Sequence, residues 1–175
     1  VTQEASKATP LFRARGGHVL GDIIHSSPAF VGKPSKNYPH DVVYSNSLET
    51  PDTHAQFALA NANRTKVIYV GANDGMLHAF RAADGKDAVN DPAGEEIFAY
   101  VPEKLFSKLN QLTNNDYIHT NFVDLSPAVG DVFFGSDKKW HTMLVGGLGG
   151  GGKGYFALDV TNPDTITEAT AGSVV

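Results

Sequence analysis

The 175-residue chain contains no cysteine. Thiol catalysis, zinc–thiolate sites and a disulfide framework are therefore excluded. Long apolar runs are missing too. No stretch approaches the ~20 residues that a membrane-spanning helix needs, so no transmembrane segment is expected. Residues 1–15 are polar and lack the apolar centre of a signal peptide; if the protein is exported, its signal is expected upstream of this segment. Basic clusters are also absent. Lys and Arg number 14 against 19 Asp and Glu, for a net charge of -5. The densest basic spot, Lys138-Lys139, falls in a turn-like stretch, so a nucleic-acid partner is excluded. The seven histidines show neither H-x-H nor H-E-x-x-H spacing, which argues against zinc. Ser26, Ser27 and Ser126 lie outside any G-x-S-x-G elbow, so they are not read as nucleophiles.

What the chain does have is glycine, regular proline, and short apolar runs bounded by Gly, Asp, Asn or Pro. These read as strands and turns. Residues 66–70, β-branched and aromatic, form the clearest strand. Asp74-Gly75 supplies a tight turn, residues 76–80 return, and residues 95–101 make a third antiparallel strand. One helix is expected over residues 102–112. Pro102 suits a first helical position, and Leu105, Phe106, Leu109 and Leu112 make one apolar stripe.

The chain also repeats itself. Ser27-Pro28-Ala29 returns as Ser126-Pro127-Ala128, an offset of 99 residues. Residues 21–26 and 121–125 are similar leads into the two copies. Val70-Gly71 is echoed by Val145-Gly146, and Leu77-His78-Ala79-Phe80 by Tyr155-Phe156-Ala157-Leu158. The first copy reads as four strands and the second as three. Repeated antiparallel units of this size predict β-propeller blades. The expected organisation is a flexible N-terminal segment at 1–14, a partial propeller at 15–163, and a flexible tail at 164–175. Within the propeller, blade one covers about 21–101, the inserted helix about 102–112, and blade two about 121–163. Two blades do not close a ring, so the chain reads as part of a larger protein.

Three signals have plainer explanations. The run Gly147-Leu148-Gly149-Gly150-Gly151-Gly152 fits G-x-G-x-x-G. Yet residues 154–160 read as a strand, not the helix that would face a pyrophosphate. Lys153 is followed by Gly154 rather than the Ser or Thr of a P-loop. The run is read as a hairpin loop. Asn73-Asp74-Gly75, Asp84-Gly85-Lys86-Asp87 and Asn90-Asp91 hold fragments of a calcium loop and are read as turn formers. Asn63-Arg64-Thr65 is a formal glycosylation acceptor and nothing more. The reading therefore assigns no catalytic, cofactor-binding or metal-ligating residue. It points to the insertions 33–64 and 110–121 as the better candidates for binding surface.

Several motifs taken together, in order, carry a family resemblance. They are Gly21-Asp22-Ile23-Ile24-His25-Ser26-Ser27-Pro28-Ala29, the stretch from Val70 to Phe80, Phe98-Ala99-Tyr100-Val101-Pro102, and the stretch from Leu144 to Val160. From about Arg15 to Pro163 the chain resembles the C-terminal propeller of the PilY1/PilC proteins of type IV pili. The resemblance implies a quinoprotein-like, all-β fold in a large protein of the Gram-negative cell surface, at the pilus tip or outer membrane. It implies support of pilus assembly, opposition to retraction and surface attachment. The partners it implies are pilin or minor pilin subunits and a host or abiotic surface. Some members carry a D-x-D-x-D calcium loop. That loop is not in this segment, so any calcium site is expected elsewhere in the parent protein. Two alternatives stay open. A quinone-dependent dehydrogenase-like propeller would need a flat cofactor pocket, an aromatic floor and a catalytic Asp beside calcium. Trp140, the single tryptophan, reads as lying at a strand edge. A periplasmic scaffold propeller for outer-membrane assembly is the other.

Overall fold

The computed structural model describes residues 12–34, 38, 53–83, 85, 89, 91–134 and 136–173. They form two antiparallel sheets. The first contains β1 (Ala29–Val31), β2 (Val67–Gly71), β3 (Leu77–Arg81) and β4 (Glu96–Tyr100), side by side in chain order. The second contains β5 (Ala128–Phe134), β6 (Lys139–Gly147) and β7 (Tyr155–Asp159), also in chain order. Ala29 pairs with Tyr69, Leu77 with Tyr100, and Ala128 with Val145. The four-plus-three meander expected from the repeat is the arrangement observed.

Period-two burial explains why these segments are strands. On β6, Trp140, Thr142, Leu144 and Gly146 face inward while Lys139, His141, Met143 and Val145 are more exposed. Gly146 lacks a side chain because the ring of its cross-strand partner Phe156 fills that space. The shared core combines Val67, Tyr69, Leu77 and Ala79 of the first sheet with Leu144, Phe156 and Leu158 of the second. Leu105, Phe122, Val123, Leu148 and Val160 close it. Several of these side chains are fully buried, each contributing roughly 1.5–3 kcal/mol relative to exposure.

The repeat leads lie against one another. The Ser27 N–H donates to Ser126 Oγ at 2.8 Å, and Ser26 Oγ donates to the Leu125 carbonyl at 3.3 Å. His25 Nδ1 pairs with Asp124 Oδ2 at 2.8 Å. Each of these contacts joins residues 99 apart, which is the repeat offset itself. Equivalent positions of two copies touch in this way when the copies are neighbours around a common axis, as adjacent blades are.

The α-helix lies elsewhere than expected. Residues 102–112 form two 3₁₀ turns, Glu103–Leu105 and Leu109–Thr113, joined by i→i+3 bonds such as Lys108 N–H to the Leu105 carbonyl. The apolar stripe is satisfied all the same: Leu105 is buried, Leu109 and Leu112 pack against the core, and Phe106 points outward at 60% exposure. The one α-helix among the described residues, α1 (His54–Ala60), lies inside the first insertion. Thr53 caps it in a capping box with Gln56. Its buried His54 and Phe57 dock it, and His54 Nε2 meets Asp131 of β5 at 2.8 Å. One side of this half of the 33–64 insertion is thus docked on the second sheet through His54, while Leu59 on the helix stays 71% exposed; residues 35–37 and 39–52 lie outside the described residues, as do 1–11 of the expected N-terminal segment. After β7 the chain forms 3₁₀ turns at Pro163–Thr165 and Glu168–Ser173, and no fourth strand joins β7 among the described residues. No helix of the described residues is long and apolar enough to cross a membrane.

Candidate functional site

A groove of about 300 Å³ opens where the first lead, the β2–β3 turn and the second insertion meet. Its cationic side is built from Arg13 and Arg15. Arg13 is fixed from three directions. Its backbone N–H donates to the Thr113 carbonyl at 2.9 Å, its Nε to the Leu112 carbonyl at 3.2 Å, and its guanidinium lies 4.0 Å above the Tyr117 ring. Arg15 donates to the Val19 carbonyl at 2.8 Å. His18, Leu20, Leu112 and His119 complete much of the wall.

The acidic side is already satisfied. Asp74 sits in the β2–β3 turn and is buried. It accepts from the Gly21 and Met76 N–H groups and pairs with His78 Nε2 at 3.1 Å. Burial alone would push its carboxyl up, but these bonds outweigh that and hold it below the ordinary value of 3.8. Asp22 is lowered in the same manner: burial, the largest single influence, pushes its carboxyl up, and the bonds from Asn73 and His119 together with the charge of His119 outweigh it. Gly21 fits only because it lacks a Cβ, which would meet the Asp74 backbone and side chain.

Histidine–carboxylate bridges recur in both sheets. His78 on β3 pairs through Nε2 with Asp74, four residues earlier, and through Nδ1 with Glu96, 18 residues later. His141 on β6 pairs through Nε2 with Asp137, four earlier, and through Nδ1 with Asp159, 18 later. In each, the first carboxylate comes from the turn before the strand and the second from the next strand. Burial opposes charge on both imidazoles, but the two carboxylates outweigh it and raise both above 6.5. The D-x-x-x-H spacing was visible in the sequence, and a search for metal-ligand spacings passes over it.

The remaining motifs resolve as structure. The glycine run forms the end of β6, a 3₁₀ turn at Gly149–Gly151 and the entry to β7. A Cβ on Gly151 would strike the Phe122 backbone, and Lys108 Nζ donates to the Gly151 carbonyl at 3.0 Å. The run is therefore a close-packing device facing the second lead. Asp74 of the Asn73-Asp74-Gly75 fragment is bonded to His78, and Asn73 Oδ1 accepts from the Phe122 N–H. Gly85 closes a turn onto the Asp91 carbonyl at 2.8 Å, while residues 84, 86–88 and 90 lie outside the described residues. Among the described residues no group of three or more His, Asp or Glu is placed to hold a metal ion. Trp140 lies on the central strand of its sheet rather than at an edge, packed among Tyr38, His54 and Phe133. Of the two insertions expected to form surface, 110–121 reaches the groove through Leu112, Tyr117 and His119.

Two consecutive, repeat-related antiparallel sheets with equivalent leads in contact define a β-propeller segment. Residues 20–172 match the family model described as the PilY1 beta-propeller domain, and the chain belongs to that family. It is 45% identical over 158 residues to the type IV pilus biogenesis factor PilY1 of Pseudomonas aeruginosa strain UCBPP-PA14, covering 89% of this chain and 12% of that protein. It is 44% identical over 157 residues to a type IV pilus biogenesis factor PilY1 homolog of Xylella fastidiosa strain Temecula1, covering 88% of this chain and 11% of that protein. Among solved structures, the Pseudomonas aeruginosa PilY1 C-terminal domain aligns with a TM-score of 0.52 at 39% identity, over 79% of this chain and 24% of that one. The chain thus spans only about an eighth of the length of the curated relatives it matches.

Proposed function

We propose that this segment is a non-enzymatic propeller module of a type IV pilus tip-associated protein, supporting pilus assembly, limiting retraction and contributing to surface adhesion. The family match over residues 20–172, on a chain whose relatives are named as pilus biogenesis factors, carries the reading. On this reading the protein is exported and works at the cell surface, pilus tip or outer membrane. Its partners are pilin or minor pilin subunits and a host or abiotic surface. It uses no cofactor in this segment, and any calcium acts elsewhere in the parent. The polar groups that would otherwise suggest chemistry support a structural role. His25, His54, His78, His119 and His141 are each engaged with a carboxylate. Trp140, the aromatic weighed for a cofactor floor, is 7% exposed and packed among Tyr38, His54 and Phe133, which supports the non-enzymatic reading over the dehydrogenase-like one.

The test is an in-frame deletion of residues 20–172 in the host, scored for surface pili with and without the retraction motor. Loss of pili that is reversed when retraction is disabled supports the reading. Unchanged piliation in both backgrounds refutes it.

A further inference from the structure

We propose that the groove beside Arg13 and Arg15 binds a singly charged carboxylate carried next to an apolar or aromatic group. The inference needs only the groove and stands independently of the pilus reading.

Three observations carry it. First, the cations are held ready and left uncompensated. Arg13 spends Nε on the Leu112 carbonyl and its face on Tyr117. Among the described residues its terminal nitrogens make no hydrogen bond, and neither Arg13 nor Arg15 forms an ion pair. A guanidinium whose plane and Nε are fixed presents a preorganised fork, the geometry that matches a carboxylate. Second, the nearby anions do not compete. Asp22 is engaged by His119 and Asn73, and Asp74 by Gly21, Met76 and His78. They do, however, leave negative charge in the lining of the same groove. That charge repels a doubly charged group such as phosphate more than a carboxylate. Third, Leu20, Leu112 and Tyr117 give the groove an apolar wall beside the cations. Its volume of about 300 Å³ is at the small end of ligand sites, enough for one or two peptide residues.

The carboxylate could come from the C-terminus of a polypeptide or from an acidic side chain, and the experiment separates the two. Isothermal titration is run on the protein as its host makes it, with three short peptides. One ends in a free phenylalanine carboxylate, one is the same peptide amidated, and one is amidated with an internal glutamate beside phenylalanine. Binding of the first alone assigns a chain terminus, of the third alone an acidic side chain, and of both the shared chemistry. Each supports the proposal if the neutral amidated peptide binds at least tenfold more weakly. Arg15→Gln, an exposed position with one local hydrogen bond, should weaken binding about tenfold, the loss expected for one charge-assisted contact. Lys104→Gln, outside the groove, should leave it unchanged. Inorganic phosphate is the anion control and should bind more weakly than the acidic peptides. The proposal is overturned if no peptide binds, if the neutral peptide binds equally well, if phosphate binds tighter, or if Arg15→Gln has no effect.

Discussion

Replacing Gly151 by alanine isolates the role of the glycine run. A Cβ built there lies 2.6 Å from the Phe122 carbonyl carbon and 2.7 Å from its Cα, where contacts under 3.0 Å are essentially never seen. The obstacle is backbone, and Phe122 is itself fully buried, so neither side yields easily. Forcing a methyl into such a contact costs about 1–3 kcal/mol. For a chain of this size each kcal/mol lowers the thermal midpoint by about 2–4 °C. Gly130→Ala is the matched control. It lies on β5, nothing sits within 4 Å of its Cβ, and its φ is not positive, so its change should stay within about 0.5 kcal/mol. Unfolding of both variants by circular dichroism makes the comparison. If Gly151→Ala melts with Gly130→Ala, the packing argument for the run is wrong.

Arg64→Met should destabilise by about 2–4 kcal/mol, read from urea unfolding, because it strands acceptors that Arg64 now serves: the Gly32 carbonyl at 2.6 Å and Thr142 Oγ1 at 2.7 Å. Leu105→Ala removes a fully buried side chain from the junction of the 3₁₀ turns with the core and should cost about 2–5 kcal/mol in the same assay. Stability should also follow pH with a definite sign. The raised histidines 78 and 141 contribute fully below 6.5 and lose that contribution as pH rises through their folded values. The lowered carboxyls of Asp22, Asp74 and Asp137 contribute fully above 3.8 and lose it as pH falls through theirs. The unfolding midpoint should therefore be highest between about 3.8 and 6.5, and His78→Gln should flatten the alkaline side. A midpoint still rising between pH 6.5 and 8 would contradict the bridge geometry.

The strands were legible because β-branched runs between Asp-Gly and Gly-rich turns leave few alternatives, and the repeat offset announced two similar units; that their leads touch is seen only in the structure. The helix was misplaced for a specific reason. Leu105, Leu109 and Leu112 have a helical spacing, but two i→i+3 turns bury Leu105 and pack the half-buried Leu109 and Leu112 against the same core. The Thr53–Gln56 capping box, the local signal for α1, opens a segment of only seven residues, too short to display a helical period. Of the groove, only the 110–121 insertion was legible, as a candidate surface. The groove joins Arg13, Asp74 and Tyr117, which are far apart in sequence and meet only through the packing of lead, turn and insertion. The His78 and His141 bridges depend equally on cross-strand register, which the sequence does not state.

The account rests on the two repeats being neighbouring blades whose leads abut. The segment has no cysteine of its own, so a paired replacement reads that contact cleanly. Ser27→Cys with Ser126→Cys, positions joined by the 2.8 Å bond from Ser27 N–H to Ser126 Oγ, is oxidised and followed by gel mobility and mass. The account predicts one intramolecular disulfide in the folded protein and markedly less in urea. A folded double variant that forms no cross-link, or one that forms it equally well when unfolded, would contradict the blade arrangement.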